Sequence, residues 1–210
     1  MIKVIGFDLD NTLYNQELFE FEIFRQISTI VAENFKIDDS QYLKTLIALY
    51  HKGEKDYIFD KAAITVNYAL PIQWDQFIVK NILPLYRSFK PNSIYLYENK
   101  ENTLNYLKTK DYKLVLITNG NSNIQNNKIN ALNIRKYFDL ILISDDFEPK
   151  RRKPDTFMFE SALNHFNVKP HEMIFVGDDL ISDKASELIG IRFININDFS
   201  LKKIGEESEL

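Results

Sequence analysis

Two carboxylates separated by one residue follow a short apolar run near the start of the chain. In the segment IGFDLDNTLYN, residues 5–15, Asp8 and Asp10 come directly after the apolar residues of a predicted strand. Because side chains alternate along an extended backbone, both carboxylates lie on the same side of it. Asp and Asn also start turns and cap helices, so this motif is compatible with a turn as well as with a reactive pair.

The composition limits the classes of protein to which this chain can belong. It has 210 residues, no cysteine and a formal net charge of −4. The length suits either one substantial core or a core domain with a smaller insert, and the lack of cysteine excludes disulfides and thiol chemistry. The interspersed charges argue against a nucleic-acid or membrane partner. Because no segment has the apolar length of a signal peptide or a membrane span, we expect a cytoplasmic protein.

Five short apolar runs predict the strands of a parallel sheet, at residues 3–7, 113–118, 139–144, 173–177 and 191–195. The runs show no clear alternation, which is typical of strands that are covered on both faces. Helical patterns at 101–110 and 156–166 directly precede the second and the fourth predicted strand. The sequence therefore predicts an α/β fold with a doubly wound, Rossmann-like parallel sheet.

About a hundred residues separate the first two predicted strands, and they carry four helical patterns, at 16–34, 40–51, 56–69 and 74–88. A crossover between parallel strands needs only one helix. We therefore expect an inserted helical domain over 16–91 and a catalytic core formed by 1–15 and 92–210. The polar tail at 202–210 is expected to fray.

Polar side chains leave several of the predicted strands at their carboxyl ends, where open parallel sheets bind ligands. They are Asp8, Asp10 and Thr12 after the first strand, Thr118 and Asn119 after the second, and Asp178, Asp179 and Asp183 after the fourth. Each also has a structural interpretation, because Thr-Asn-Gly forms turns and paired aspartates cap helices. We interpret the acidic pair that follows the third strand, in SDDF at 144–147, as a loop or a helix cap.

Taken together, these residues predict a site for phosphoryl transfer. Carboxylates gathered at one edge raise one another's pKa, and a divalent cation with oxygen ligands, best matched by Mg²⁺, relieves that repulsion. Lys153, in the loop before a helix that begins near Pro154, would supply positive charge to a phosphate. We interpret its neighbours Arg151 and Arg152 as solvated, with binding of a second anionic group as the alternative.

Four motifs in this order resemble those of the haloacid dehalogenase-like hydrolase superfamily. They are DLDNT at 8–12, ITN at 117–119, RKPD at 152–155 and GDDLISD at 177–183. The helical insert resembles the cap of that superfamily. Asp10 favours a phosphatase or phosphotransferase over a dehalogenase, because an alkoxide leaving group needs a proton and a halide does not.

The resemblance implies a role for each residue of the site. Asp8 would attack phosphorus to form an aspartyl phosphate, and Asp10 would protonate the leaving group and then activate water. The phosphoryl oxygens would be held by Thr118 and Lys153, with the backbone of Asn119 nearby.

The resemblance also implies a set of ligands for Mg²⁺. They would be Asp8, the backbone carbonyl of Asp10, and Asp178. Three further residues are candidates for supporting these ligands: Asp183, Asp179, which is also an alternative to Asp178, and Thr12.

The expected activity is hydrolysis of a small phosphorylated metabolite, with sugar phosphates, nucleoside monophosphates and flavin mononucleotide all open. The cap would choose among them, and the candidates for contacting substrate are Lys52, Lys55, Tyr57, Lys61 and Arg87. One alternative is a phosphomutase with the same site. Another is a phospho-receiver or binding protein without turnover, although receivers lack a long insert and carry the acceptor on a later strand. The sequence does not indicate an oligomeric state.

Overall fold

The computed structural model describes residues 1–66 and 69–201, in which the chain forms two compact units. One unit comprises Met1–Gln16 and the chain from Ile94 onward, and the other comprises Glu17–Ser93. The chain thus leaves the first unit after residue 16 and returns to it after residue 93. These two boundaries lie one and two residues later in the sequence than expected. The end of the predicted helix at 56–69 (residues 67 and 68) and the tail at 202–210 lie outside the described residues.

The first unit contains a sheet of five parallel strands. They are β1 (Val4–Phe7), β2 (Lys113–Thr118), β3 (Leu140–Ile143), β4 (Met173–Gly177) and β5 (Arg192–Asn195), which confirms the five predicted strands. Their order across the sheet is β3-β2-β1-β4-β5. The chain therefore moves outward from β1 to β3 and then returns to the other side of β1. This reversal places the binding crevice of the sheet at the carboxyl end of β1, directly before Asp8.

The second unit is helical throughout its regular structure. Its helices are α1 (Gln16–Phe35), α2 (Asp39–His51), α3 (Ile58–Thr65), α4 (Trp74–Phe77) and α5 (Leu83–Ser88). Apolar residues spaced by four along α1 form its buried face, including Phe19, Ile23 and Ile27. The Trp74 indole donates a hydrogen bond of 2.7 Å to Asp60, so this unit has its own core.

The predicted helix at 74–88 is not a single α-helix. A π-helical turn at Ile78–Ile82 separates α4 from α5, and the N–H of Leu83 bonds to the carbonyl of Ile78. Pro84 lies in the first turn of α5, where its missing N–H interrupts an α-helical ladder. The wider π turn lets the helical path continue up to this proline.

In the described part of the first unit the α-helices are α6 (Lys100–Thr109), α7 (Ser122–Ala131) and α8 (Phe157–Phe166), each of ten residues. The predicted helices at 101–110 and 156–166 correspond to α6 and α8. The buried face of α8, with Met158 and Phe159, packs in one apolar cluster with Val4, Val115 and Phe175 of the sheet. Among the described residues, no helix is both long and apolar enough to cross a membrane.

Gly6 in β1 lies where the sheet has no room for a side chain. A Cβ at this position would lie 2.6 Å from Cδ2 of the buried Phe175 ring and 3.0 Å from Cε of Met173. Both neighbours belong to the apolar cluster under α8, so neither can move without disturbing the core. The strand that precedes Asp8 is thus packed against its neighbours at van der Waals distance.

We therefore expect Gly6→Ala to destabilise the first unit by about 1–3 kcal/mol, the usual effect of overpacking a dense core. Urea unfolding should show a lower midpoint than wild type. Asn102→Ala, on the exposed face of α6, is the control and should change the free energy of unfolding by less than about 0.5 kcal/mol. Equal midpoints for Gly6→Ala and wild type would contradict the close packing of β1.

Candidate active site

Asp8 lies at the first position after β1, in the crevice of the sheet. Its N–H donates a hydrogen bond of 2.9 Å to the carbonyl of Val176, which extends the pairing with β4 and fixes the backbone. Burial is the largest influence on its carboxyl group and raises its pKa; the charge of Lys153 opposes this, while the carboxylates of Asp183 and Asp10 add to it. The resulting pKa is about 8. The raised pKa of Asp8 is therefore due first to its burial, which the adjacent lysine offsets only in part.

Lys153 is the cation nearest to Asp8 in this site, and it is buried. Its Nζ lies 2.6 Å from Oδ1 of Asp8, 2.5 Å from Oδ1 of Asp183 and 2.9 Å from the carbonyl oxygen of Ile117. Burial would lower the pKa of this lysine, but the charges of Asp8 and Asp183 outweigh burial and raise the pKa. The side chain is only 2% exposed, so Lys153 is not a surface lysine.

Asn119 holds the backbone of Lys153 with two reciprocal hydrogen bonds. Its Nδ2 donates to the carbonyl of Lys153, and its Oδ1 accepts from the N–H of Lys153, both at 2.8 Å. The end of β2 thus fixes the loop that carries the lysine. The side chain of Asn119 is therefore used for positioning.

Asp145, at the end of β3, holds the same loop from the other side. Its side chain is 4% exposed, and the carboxylate accepts two hydrogen bonds of 2.9 Å from Arg152. It also forms an ion pair with Lys150, at 2.9 Å. Burial would raise the pKa of Asp145, but these donors outweigh it and hold the pKa far below its usual range. The segment SDDF, where a loop or a helix cap was expected, forms a short 3₁₀ turn at Ser144–Asp146. Nothing in the sequence indicated that Asp145 anchors the loop of Lys153.

The two arginines beside Lys153 are engaged within the chain. Arg152 forms the fork with Asp145, and Arg151 lies 3.3 Å from Asp155 and 5.0 Å from the centre of the Phe157 ring. Both side chains remain more than a third exposed. The interpretation of these residues as merely solvated is therefore incomplete, because each has a partner that shapes the loop.

Asp178 and Asp183 approach Asp8 from the loop after β4. One carboxylate oxygen of each of the three residues lies within 4.8 Å of the other two, and such an all-oxygen group suits a hard divalent cation. Burial, followed by the charge of Asp183, raises the pKa of Asp178 to about 6. Any side chain at Gly177 would collide with the Asp183 carboxylate, so the glycine permits this approach. Asp183 is therefore a member of this cluster of three carboxylates, and it also accepts a hydrogen bond from Lys153.

The other two candidates for supporting the ligands occupy different places. Thr12 is fully buried, and its hydroxyl lies 3.4 Å from Oδ1 of Asp178, within reach to orient that carboxylate. Asp179 instead accepts hydrogen bonds of 2.7 Å from the N–H groups of Ile181 and Ser182. Burial would raise the pKa of Asp179, but these backbone donors outweigh it and lower the pKa. The carboxylate of Asp179 is thus used in its own turn, and it does not cap a helix as the sequence suggested.

The carboxylate of Asp10 forms a separate network with the first turn and α7. Its Oδ1 accepts from the hydroxyl of Tyr14 at 2.6 Å and from Lys128 Nζ at 2.8 Å, while Oδ2 accepts from Gln125 Nε2 at 2.9 Å. Burial would raise the pKa of Asp10, but the charge and hydrogen bond of Lys128, with the bonds from Tyr14 and Gln125, lower it. The amide of Gln125 also lies 2.7 Å from the hydroxyl of the buried Thr118.

Sequence reasoning missed Tyr14, Gln125 and Lys128, although a signal for two of them was present. The apolar residues Ile124 and Ile129 mark the buried face of α7, and helical spacing places Gln125 and Lys128 on that face. A lysine and a glutamine on a buried helix face are unusual unless they have partners. This pattern pointed to a polar site beneath the helix.

Comparisons with known proteins show the family to which the chain belongs. Residues 5–196 match the family described as haloacid dehalogenase-like hydrolase. The glyceraldehyde 3-phosphate phosphatase of Pyrococcus furiosus is 33% identical over 185 residues, which cover 87% of this chain and 75% of that protein. The phosphoglycolate phosphatase of Nitrosospira multiformis is 28% identical, over 90% of this chain and 80% of that protein.

A solved structure shares the fold over nearly the whole chain. The crystal structure of a HAD phosphatase from Thermococcus onnurineus superposes with a TM-score of 0.64 at 19% identity, covering 99% of this chain and 90% of that one. The family match spans the strands, the insert and every loop that contributes to the site. The chain therefore belongs to the haloacid dehalogenase-like hydrolase family and is a phosphatase.

Proposed function

We propose that this enzyme is a Mg²⁺-dependent phosphatase that hydrolyses a small phosphorylated metabolite through an aspartyl-phosphate intermediate. The observation that carries the proposal is the buried contact of 2.6 Å between Asp8 and Lys153, beside two further carboxylates. It combines a nucleophile, a cation for phosphoryl oxygens and oxygen ligands for a metal in one crevice. The relatives named above are phosphatases of small phosphate monoesters, which favours the sugar-phosphate class over flavin mononucleotide.

The proposed reaction has two steps that share one pair of aspartates. In the first, a carboxylate oxygen of Asp8 bonds to phosphorus, the bond from phosphorus to the alcohol oxygen breaks, and Asp10 gives that oxygen a proton. In the second, water bonds to phosphorus and gives a proton to Asp10, and the bond between Asp8 and phosphorus breaks. The products are the alcohol and inorganic phosphate, and both aspartates return to their starting states.

The other residues of the site would hold the phosphoryl group. Lys153 would neutralise negative charge on its oxygens, and the Thr118 hydroxyl would donate a hydrogen bond. Asn119 would keep Lys153 in place through its backbone. In this scheme Asp183 positions the lysine through the contact of 2.5 Å.

The three clustered carboxylates fit Mg²⁺ because they provide hard oxygen ligands in close proximity. Asp8 and Asp178 would hold the ion, together with the backbone carbonyl of Asp10, and Thr12 and Asp183 would support these ligands. When bound, the ion would favour the ionised form of the carboxylates and offset negative charge on the phosphoryl group.

We further propose that the helical unit serves as a cap that selects the substrate. Its interior contains a cavity of about 210 Å³ lined mainly by aromatic and apolar side chains, with Glu20 and Lys55 as the charged residues. Lys55, one of the candidates from the sequence, lies 4.8 Å from the centre of the Tyr50 ring. The phosphomutase alternative predicts that a sugar bisphosphate is required for turnover, whereas a phosphatase releases inorganic phosphate without one.

Removal of divalent metal should abolish activity. Excess chelator should stop the release of inorganic phosphate from 4-nitrophenyl phosphate, because the charges of Asp8, Asp178 and the phosphoryl group would then repel one another. Addition of Mg²⁺ beyond the chelator should restore the rate. Full activity in excess chelator would remove the metal from the proposed mechanism.

Lys153→Ala should lower kcat by about 10²–10³-fold, the usual effect of removing one electrostatic contact to the transition state. The control is Lys113→Ala, since Lys113 begins β2 at the end opposite Thr118, has a side chain 58% exposed and should retain nearly wild-type kcat. Steady-state kinetics and thermal unfolding of both variants make the comparison. A folded Lys153→Ala enzyme with wild-type kcat would contradict the assigned role.

Substitution of Asp8 and substitution of Asp10 should block different steps of the proposed reaction. Asp8→Asn should form no phosphoenzyme, because a neutral amide does not attack phosphorus. Asp10→Asn should still be phosphorylated by 4-nitrophenyl phosphate, whose leaving group needs little protonation, and hydrolysis of the intermediate should then stall. Intact-mass spectrometry after an acid quench should show one phosphoryl group on Asp10→Asn and none on Asp8→Asn. An adduct on Asp8→Asn instead would reverse the assigned roles.

A further inference from the structure

Two polar side chains on the buried face of α7 have no part in the mechanism proposed above. Lys128 has a side chain only 3% exposed, and Gln125 is 1% exposed. A buried ammonium group is strongly unfavourable unless a partner compensates for its lost hydration. The contacts of these two residues should therefore explain why α7 carries them inward.

Both side chains reach Asp10, and they reach different oxygens. Lys128 donates to Oδ1 at 2.8 Å, and Gln125 donates to Oδ2 at 2.9 Å. The hydroxyl of Tyr14 adds a bond of 2.6 Å to Oδ1. Rotation of a carboxylate about its last torsion is otherwise broad, so donors on both oxygens restrict its orientation.

Gln125 also connects Asp10 to the phosphate-binding side of the site. The same Nε2 that bonds to Asp10 lies 2.7 Å from the hydroxyl of Thr118, at the end of β2. One side chain of α7 thus contacts both Asp10, which follows β1, and Thr118, which ends β2. Their separation is set by a single amide and by the helix backbone that carries it.

We propose that Lys128 and Gln125 are positioning residues for proton transfer: Lys128 fixes the orientation of the Asp10 carboxylate, and Gln125 fixes its distance from the Thr118 hydroxyl. This inference rests on the proposed function, since it requires that Asp10 exchanges protons with the leaving group and with water. General acid–base catalysis depends on a donor held at hydrogen-bond distance from the reacting oxygen. A carboxylate freed from α7 would meet that condition less often.

The test is the rate of Lys128→Met with two leaving groups. Formation of the phosphoenzyme from phenyl phosphate needs a proton from Asp10 more than formation from 4-nitrophenyl phosphate does. We expect kcat/KM to fall at least tenfold more for phenyl phosphate than for 4-nitrophenyl phosphate. Lys128→Arg, which retains the charge and the donors, should recover part of the loss. The control Lys136→Met changes a half-exposed lysine near α7 and should match wild type with both substrates.

A double-mutant cycle separates positioning from a merely structural role. If Lys128 acts through Asp10, Lys128→Met should have no further effect on kcat/KM in the Asp10→Asn background. A reduction of the same factor in both backgrounds would overturn the proposal. Equal losses with the two leaving groups, or wild-type behaviour of Lys128→Met, would overturn it as well.

Gln125→Met provides a second test that leaves the pair between Lys128 and Asp10 intact, and it serves if Lys128→Met does not fold. It should show the same sensitivity to the leaving group, and the Ki of inorganic phosphate should rise at least threefold because Thr118 loses its restraint. An unchanged Ki and unchanged leaving-group sensitivity would overturn the role of Gln125. Absence of phosphate release by the wild-type enzyme from either substrate would instead overturn the proposed function itself.

Discussion

The structure of the core unit depends on the burial of a lysine between carboxylates at the end of a central strand. Lys153 contacts Asp8 and Asp183 at 2.6 and 2.5 Å, and none of the three side chains is more than 10% exposed. Like charges at such separation are unfavourable without a cation between them, and a buried ammonium group is unfavourable without acceptors. Each group is therefore stable in this position only because the others are there.

This mutual dependence explains why so much of the surrounding structure serves to hold one loop. Asn119 fixes the backbone of Lys153 from β2, and Asp145 fixes the preceding residues from β3. On the opposite side, the missing side chain of Gly177 allows Asp183 to approach. Three of the five strands thus contribute a residue that has no reactive role and that sets the position of a charged atom.

The strands and the positions of several candidate site residues could be predicted from the sequence because their signals are local. An apolar run such as 113–118 reports burial on both faces, and Thr118 follows it directly. The positions of Asp8 and Asp178 likewise follow from the rule that parallel strands present their carboxyl ends at one edge. The continuous helix expected at 74–88 was wrong in part, because the effect of Pro84 on the preceding turn depends on local hydrogen bonding that periodicity does not report.

Two of the residues that were missed make their contacts over long distances in the sequence. Lys128 meets Asp10 across 118 positions, and Gln125 meets it across 115. Asp145 is closer to its partner Arg152, at seven positions, but their contact requires a loop whose path the sequence alone does not specify. Such pairs are determined by the order of strands and by the face of a helix, so they emerge only once the topology is known.

The two lysines also explain how nearly adjacent aspartates come to differ. When all groups are ionised, Asp8, Asp178 and Asp183 carry three negative charges, and Lys153 supplies one positive charge, so two negative charges remain for a divalent cation. Asp10 and Lys128 balance each other, and the remaining bonds to Asp10 come from the neutral donors Tyr14 and Gln125. Burial acts to raise the pKa of both groups. It prevails at Asp8, where the charges of Asp183 and Asp10 add to it, whereas Lys128 and the hydrogen bonds from Tyr14 and Gln125 outweigh it and lower the pKa of Asp10. Identical side chains two residues apart thus differ in the charges around them: Asp8 belongs to a group of carboxylates with a net negative charge, and Asp10 is paired with a lysine.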